Sequence, residues 1–458
     1  MRSGRGPNRA GTHLGRADPY AGAMTTTAPS LVLANVRPWG GEAVDLVIGG
    51  SRILDVVPAG SASSDVAKSD GTPSDGARTG STLSDGARPG SASPDLAPPG
   101  AARVVDGRGL LALPGFVNAH AHVDKSWWGM PWQSYGGEAT TQGRIAHERE
   151  RRDELGIPSV PATVAVLREL LRHGTTAVRT HVDVDLGVGL RGVETVREAA
   201  AALDGAIEMQ VVAFPQDGVV RRPGVLDLLE QAAAAGVDAI GGLDPCLIDR
   251  DPVAQLDGLF AIAERHGCGI DIHLHAGGEL GAFEYELIVD RTRRSGLTGR
   301  VNVAHGFALG ELPPARQEDL LAQFAELGIS WSTVAPIRSA PLPRRRMQEL
   351  GMVLGLGTDG IRDLWSPYGD GDLLRVALDF ARLHGVRHDE EFEEVLRLAT
   401  DAAGPFVGRE GTGLVPGARA DVVLLDAENP ADALVRAPRR ETVLAGGRVV
   451  VEAGELLL

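Results

Sequence analysis

The stretch LPGFVNAHAH, residues 113–122, joins an apolar run to two histidines, His120 and His122. The apolar half has the composition of a buried β-strand. Side chains two positions apart on a strand point to the same side, so the two imidazoles face one way. At the carboxyl end of a barrel strand they can bind one divalent metal ion together. An isolated pair with this spacing is more often two surface histidines on a loop, so the interpretation depends on the other strands.

Apolar, β-branched runs alternate with amphipathic stretches after residue 104. Eight runs are predicted as strands, at 111–117, 175–182, 208–213, 239–243, 269–274, 301–304, 329–332 and 352–356. Stretches between and after them are predicted as helices, among them 161–173, 193–203, 225–235, 253–266, 318–327, 371–384 and 390–402. This alternation over about 250 residues predicts an α/β fold, a parallel (β/α)8 TIM-like barrel. An open doubly wound sheet is the alternative, but no G-x-G-x-x-G motif follows a strand.

Further β-like runs flank the barrel, which is expected at 113–406. Both ends of the chain are predicted to contribute to a small composite β-sandwich domain, from residues 31–57, 104–112 and 407–458. Two other segments lack periodicity and are rich in Gly and small or polar residues. They are interpreted as a disordered tail at 1–30 and a low-complexity insertion at 58–103.

The charge and composition exclude several classes of protein. The chain has 458 residues, with 45 Lys and Arg against 61 Asp and Glu and a net charge of −16. Such a charge argues against nucleic acid or an anionic membrane as a partner. Two cysteines predict no disulfide framework, and no apolar run approaches the roughly 18 residues of a membrane span. The N-terminus lacks the apolar core of a secretory signal, so a cytoplasmic protein is expected.

Side chains that can bind metal or move protons recur at the ends of later predicted strands. His273 ends the fifth strand, His305 follows the sixth, and Asp359 follows the eighth. Barrel enzymes keep their active sites at the carboxyl ends of the strands. We therefore expect these groups to meet His120 and His122 at one rim of the barrel.

Six motifs resemble the amidohydrolase superfamily, and within it the cytosine deaminase-like group. They are PGFVNAHAHVDK at 114–125, RTHVDV at 179–184, QVVAFPQDG at 210–218, DIHLH at 271–275, AHG at 304–306 and GTDG at 357–360. The resemblance covers about residues 104–450. A Lys three positions after the second His of H-x-H, here Lys125, resembles the pattern of the triazine branch, such as the N-isopropylammelide amidohydrolases. The resemblance implies a hydrolase of carbon–nitrogen bonds other than peptide bonds.

The resemblance also implies a ligand set for one divalent metal ion, Zn or Fe. Its members are His120, His122, His273 and Asp359. Such an ion lowers the pKa of a bound water toward about 7, and Asp359 would accept the proton of that water. No Lys stands at the end of the fourth predicted strand, so a second ion bridged by a carboxylated lysine is not expected.

Three further residues receive roles from the resemblance. His305 would polarise or protonate the substrate, and Gln210, in QVVAFPQDG, matches the amide that orients the heterocycle. Lys125 would hold a ring oxygen or an anionic group, although a salt bridge with a carboxylate is the alternative. Weaker features are a cluster of Trp127, Trp128 and Trp132, either a wall over a flat ring or ordinary packing, and His181, either a support for a ligand or a structural residue.

The implied reaction is deamination or dealkylamination of a small aminated nitrogen heterocycle. Two positions depart from the cytosine deaminase pattern. Ala276 replaces a proton-shuttling Glu, with His275 and Glu279 nearby, and Gly360 replaces a second Asp after Asp359. Two alternatives therefore stay open: a cyclic amidase like the dihydroorotases and hydantoinases, and a non-catalytic metal-binding homologue. Homo-oligomers are common among such barrels, so a homo-oligomer is one state to expect.

Overall fold

The computed structural model describes residues 28–62, 102–409 and 412–458. The predicted tail at 1–30 and the predicted insertion at 58–103 lie mostly outside these residues. In the described ranges, none of the helices has both the length and the apolar character that crossing a bilayer requires.

The strands of the described residues are, in chain order, β1 (Leu31–Pro38), β2 (Val44–Gly49), β3 (Arg52–Pro58), β4 (Arg103–Asp106), β5 (Leu111–Pro114), β6 (Phe116–His122), β7 (Thr175–Asp183), β8 (Glu208–Phe214), β9 (Ala239–Leu243), β10 (Gly269–Leu274), β11 (Val301–His305), β12 (Ser330–Thr333), β13 (Leu354–Leu356), β14 (Asp359–Gly360), β15 (Val422–Leu425), β16 (Arg440–Ala445), β17 (Arg448–Glu452) and β18 (Glu455–Leu456). Seven of the eight predicted barrel strands match β7 to β13 to within two residues at either end.

The α-helices are α1 (Thr141–Leu155), α2 (Val160–Arg172), α3 (Arg191–Ala201), α4 (Val225–Ala234), α5 (Pro252–His266), α6 (Gly278–Ser295), α7 (Ala308–Glu311), α8 (Pro314–Glu326), α9 (Arg344–Glu349), α10 (Leu373–Leu383), α11 (Asp389–Arg397) and α12 (Pro430–Arg436). A π-helical turn at Pro245–Asp249 follows β9, and a 3-10 helix at Asp401–Val407 follows α11. The amphipathic helices bury their apolar faces against the strands in one large core.

The larger sheet confirms the predicted TIM-like barrel. Strands β6 to β13 neighbour one another in chain order, and each pair is parallel. Only two residues separate β13 from β14, which pairs in parallel with β6 and so closes the sheet. Because chain order and spatial order agree all the way round, the doubly wound alternative is excluded.

The second sheet joins the two ends of the chain, as predicted. Its path runs from β18 through β17, β16, β15, β5, β1 and β2 to β3, with β4 also paired to β1. Strand β15 pairs antiparallel with β5, which brings the C-terminal strands onto those of the N-terminal region. Residues from both portions, including Leu33, Ile48 and Val422, share one buried apolar cluster.

The predicted strand at 111–117 is in fact two strands that belong to different sheets. Strand β5 lies in the small sheet and β6 in the barrel, and Gly115 separates them. A Cβ atom at Gly115 would lie 2.3 Å from Thr176 Oγ1 and 2.8 Å from the Asp421 Cβ. Only glycine therefore lets the chain pass between the barrel and the small sheet at this point.

The amino-terminal end of the barrel is filled by apolar side chains. Phe406 and Ala403, from the 3-10 helix, pack in one buried cluster with Val117, Ala119 and Ala177 of β6 and β7. This packing leaves the carboxyl ends of the strands as the open end, where the histidines of the sequence motifs lie.

Candidate active site

The five predicted metal and acid–base residues converge at the carboxyl ends of four strands. His120 and His122 lie on β6, His273 on β10 and His305 at the end of β11, and Asp359 begins β14, three residues beyond the end of β13. The Nε2 atoms of His122 and His273 are 3.4 Å apart. Asp359 Oδ1 lies 3.4 Å from His122 Nε2 and 3.7 Å from His120 Nε2. Ligand atoms lie within 4.8 Å of one another in two groups that share His120: His120, His122, His181 and His273 form one, and His120, His305 and Asp359 the other.

The unsatisfied nitrogens of this cluster fit a bound cation. His120 is fully buried, yet neither of its ring nitrogens has a hydrogen-bond partner among the described residues. Leaving such a group unpaired costs about 1–3 kcal/mol, which a metal–nitrogen bond would offset. His122 Nδ1 lies 3.1 Å from the backbone oxygen of His181. Donation of the Nδ1 proton to that oxygen leaves Nε2 free to face the cluster, the arrangement usual for metal-bound histidine.

The protonation states also suit metal binding. Burial, with a smaller effect from Lys125, lowers the pKa of His122 to about 3. Burial and the neighbouring imidazoles hold the pKa values of His273 and His305 well below their usual range. Burial disfavours the Asp359 carboxylate, but the His120 and His122 rings outweigh it and keep its pKa well below normal. Neutral imidazoles and an ionised carboxylate are the forms that ligate divalent metals.

His181, near the end of β7, is a further histidine of this cluster, with a ligand atom within 4.8 Å of those of His120, His122 and His273. Its ring centroid lies 4.2 Å from that of His120, and its Nε2 lies 3.1 Å from Asp271 Oδ1. Asp271 also pairs with Arg179 at 3.2 Å, and all three side chains are buried or nearly so. Of the two interpretations of His181, this packing against a ligand ring favours the supporting role.

The backbone is strained at two of the converging residues. His305 has φ of 66° and Asp359 has φ of 59°, in the left-handed region that residues other than glycine rarely adopt. Each such residue costs roughly 1–2 kcal/mol. Strain of this kind persists only where the surrounding structure enforces it, and it concentrates at functional sites.

A cavity of about 940 Å³ opens above the cluster. Its size suits a small organic molecule. The polar and aromatic lining groups include His122, Lys125, Trp132, Phe214, Gln216, His273, His275, His305, Asp359, Asp363 and Trp365. Of the tryptophan cluster noted in the sequence, Trp132 lines this cavity, whereas Trp127 is buried in packing contact with it.

Gln210 does not lie where the sequence prediction put it. It occupies the amino-terminal half of β8, and its Oε1 accepts a hydrogen bond of 2.8 Å from Arg179 Nη2, away from the cavity. Gln216, in the same QVVAFPQDG motif, lies two residues beyond the end of β8 and lines the cavity. The position relative to the strand end distinguishes the two amides, and this signal was available in the sequence.

Lys125 forms the salt bridge with carboxylates that the sequence analysis gave as the alternative, and the residue also lines the cavity. Its ammonium is buried but lines the cavity, and Nζ donates to Asp183 Oδ1 at 2.8 Å and to Gln216 Oε1 at 2.6 Å. Glu148 Oε1 lies 3.5 Å from the same atom. Burial disfavours the charge, but Asp183, Glu148 and Asp124 outweigh it and raise the pKa of Lys125. The buried acids therefore keep Lys125 protonated at neutral pH.

This acid group also anchors Gln216 and one wall of the cavity. Gln216 Nε2 and Trp365 Nε1 both donate to Glu148 Oε2. Glu148 comes from α1, a helix that the sequence analysis did not predict. Its sequence is almost entirely polar, so it lacks the apolar period that reveals most helices.

A paired acid and histidine stand at another wall. Asp244 Oδ2 lies 2.9 Å from His275 Nδ1, and Asp244 Oδ1 accepts the backbone N–H of His275. Burial lowers the pKa of His275, but Asp244 outweighs it and the net shift is upward. The His275 side chain is 43% exposed, within the cavity, and its ring centroid lies 4.6 Å from that of His305. Ala276, next in sequence, is buried and offers no ionisable group.

The structure is a TIM-like barrel with a cluster of histidines and an aspartate at its open end, and this cluster could hold a metal ion. Comparison with known proteins gives the family. A family model described as "Amidohydrolase family" matches residues 103–451. The chain therefore belongs to the amidohydrolase family. The relatives named below hydrolyse carbon–nitrogen bonds other than peptide bonds.

Individual relatives resemble the chain over most of its length. A crystal structure of N-isopropylammelide isopropylaminohydrolase from Burkholderia multivorans is 39% identical, with a TM-score of 0.81, and covers 93% of this chain and 99% of its own. N-isopropylammelide isopropyl amidohydrolase from Pseudomonas sp. (strain ADP) is 29% identical over 76% of this chain and 88% of its own. Pterin deaminase from Rhizobium rhizogenes is 28% identical over 75% and 82%.

Proposed function

We propose that this amidohydrolase cleaves the bond between a ring carbon and an exocyclic amino or alkylamino nitrogen of a nitrogen heterocycle. The observation that carries the proposal is the convergence of His120, His122, His273 and Asp359 beneath a cavity of about 940 Å³. Release of an alkylamine from a triazine-type ring is favoured over release of ammonia. Support for this choice comes from the two N-isopropylammelide hydrolases, which align over most of the chain.

The ligand set suits a single divalent ion, Zn or Fe, held by His120, His122, His273 and Asp359. When bound, such an ion supplies a hydroxide nucleophile near neutral pH by lowering the pKa of a water molecule. The end of β9 supports one ion rather than two. The residue after this strand is Asp244, whose carboxylate is already engaged by His275, and no lysine stands there to bridge a second ion.

In this proposal Asp359 accepts a proton as well as binding metal. Its side chain is 41% exposed, toward the cavity, and its low pKa keeps it ionised at neutral pH. His305 stands beside it, held by a 2.9 Å hydrogen bond from Trp331 Nε1 to its backbone oxygen. A neutral His305 can donate a hydrogen bond to the oxygen that develops charge as the ring carbon becomes tetrahedral.

The Asp244–His275 pair supplies a proton for the leaving nitrogen. Asp244 binds the Nδ1 side of the ring, so Nε2 is the atom free to act toward the cavity. Because the pKa of His275 is raised, a larger fraction of the ring is protonated near neutral pH. This pair takes the role that a Glu at position 276 has in the cytosine deaminases.

Gln216 and Lys125 orient the substrate ring. The Lys125 ammonium and the Glu148 carboxylate hold the two ends of the Gln216 amide, so its orientation is fixed before substrate binds. The positive charge of Lys125 at the cavity wall favours a ring that carries carbonyl oxygens or a partial negative charge.

Metal analysis and a substrate screen test the proposal together. The purified chain is analysed for Zn and Fe and incubated with amino-triazines, N-alkylamino-triazines, aminopyrimidines and pterins, with ammonia and alkylamines measured directly. About one ion per chain and release of an amine are expected. Two ions with opening of a cyclic amide would instead establish the cyclic amidase, and tightly bound metal with no turnover would establish the non-catalytic homologue.

A further inference from the structure

The Asp363 carboxylate occupies the space beside the Cα of Gly360 in the wall of the cavity. Gly360 follows Asp359 in β14 and lies opposite His122 in the strand pairing. A Cβ atom added to Gly360 would lie 1.7 Å from Asp363 Oδ2 and 2.6 Å from its Cγ. The Asp363 carboxylate therefore fills the space that a side chain at position 360 would occupy, one residue beyond a predicted metal ligand.

One oxygen of Asp363 is fixed by the loop and the other is left for a ligand. Oδ1 accepts the backbone N–H groups of Trp365 at 2.8 Å and Ser366 at 2.7 Å. Within the described ranges, no hydrogen bond to Oδ2 is found. The residue is only 4% exposed, and it is one of the residues that line the cavity. A buried carboxylate with one unpartnered oxygen facing a cavity needs a partner there.

The surroundings of Asp363 let it act as acceptor or donor. Burial is the largest influence, and together with Glu148 and Asp359 it outweighs Lys125 and raises the pKa of Asp363 to about 7. Both protonation states are therefore populated near neutral pH. The next side chain but one, Trp365, lines the same cavity and presents a flat apolar surface to a ring.

We propose that Asp363 is a substrate-contacting acid, whose Oδ2 hydrogen-bonds a nitrogen of the heterocycle beside the carbon that is attacked. It stands in for the second Asp that position 360 lacks, and Gly360 is required because any side chain there would displace it. The assignment rests on the function proposed above. It predicts that the acid can be moved between positions 363 and 360, which a merely structural loop aspartate would not allow.

Asp363→Asn is the first test, because the amide oxygen still accepts the two backbone N–H groups while the other atom becomes an NH2 donor. We expect kcat/KM for the best substrate to fall about 10- to 100-fold, the loss of one hydrogen bond to a charged group, with unchanged metal content and Tm. Asp227→Asn, on the exposed first turn of α4, is the matched control and keeps full activity. An Asp363→Asn variant with wild-type kcat/KM and pH profile overturns the inference.

The positional swap is the second test. Gly360→Asp alone is expected to lose at least tenfold in kcat/KM, since its side chain and Asp363 compete for one space. Asp363→Ala is also impaired. The double variant Gly360→Asp/Asp363→Ala should have a kcat/KM at least tenfold higher than that of Asp363→Ala. If the losses in free energy of the two single variants simply add in the double variant, the two side chains do not compete for one space and the inference is wrong.

Failure of this inference is distinguishable from failure of the proposed function. If the wild-type chain releases amine and Asp363→Asn matches it, only the role of Asp363 is wrong. If the wild-type chain turns nothing over, the stabilisation of its Tm by cyanuric acid and by ammelide is compared with that of Asp363→Asn. Loss of stabilisation in the variant keeps Asp363 as a binding residue, and absence of any stabilisation of the wild type overturns both proposals.

Discussion

Replacing Lys125 with methionine tests the buried acid group most severely. The change keeps most of the side-chain volume but removes the ammonium that lies 2.8 Å from Asp183 and 3.5 Å from Glu148. Both acids are almost fully buried, so their charges cannot be screened by water. Removing one partner of a buried ion pair costs about 3–5 kcal/mol, and we expect a loss of unfolding free energy in that range at pH 7.5.

Guanidinium denaturation, followed by fluorescence, measures that loss. The cost should shrink toward pH 5, because burial already raises the pKa of Asp124 to about 6 and that of Asp183 well above normal, and protonated acids need no cation. Lys125→Met/Asp183→Asn should recover part of the loss. Arg265→Met, at an exposed ion pair with Glu230, is the control and should cost less than about 1 kcal/mol. A Lys125→Met loss no larger than that of the control would refute the argument.

Four further predictions concern the site and its surroundings. Asp359→Ala should reduce amine release by about 10³-fold or more and lower the metal content, and full turnover would exclude its role. His275→Gln should lower kcat/KM about 100-fold with metal retained, and an unaltered pH profile would count against it as the proton donor. Gln216→Ala should raise KM about tenfold, whereas Gln210→Ala should leave KM unchanged; the opposite result would restore the original prediction. Burial raises the pKa of Glu284 to about 7, so the folded wild type loses stability as the pH rises from about 4.5 to 7. The loss is about 3 kcal/mol. Glu284→Gln should remove it, which denaturation curves at pH 5 and pH 8 would show.

The barrel was predictable because its signals are local. Each strand is a short apolar run, and the runs at 239–243 and 269–274 coincide with β9 and β10. The convergence of the histidines and Asp359 followed from the same rule, since a histidine or aspartate at a strand end must lie at the rim of a parallel barrel. The break at Gly115 was missed because it depends on the close approach of Thr176 and Asp421, which are distant in sequence.

The wall of the cavity was much less predictable than its floor. Glu148 reaches the site from a polar helix without apolar period, and Asp363 reaches it from a loop that folds back over Gly360. Neither residue has a sequence signal of its own, because whether its side chain reaches the cavity depends on which loops cover the open end of the barrel. The choice of Gln210 over Gln216 had a different cause: the motif was recognised, but the distance of each amide from the strand end was not weighed.

Anomalous diffraction from crystals grown with Zn or Fe, recorded at both absorption edges, tests the shared cation most directly. We expect a single peak about 2.0–2.2 Å from a ring nitrogen of His120, from His122 Nε2, from a ring nitrogen of His273 and from an oxygen of Asp359. Two peaks bridged by one residue, a peak elsewhere in the chain, or no peak at this cluster at full metal loading would contradict it.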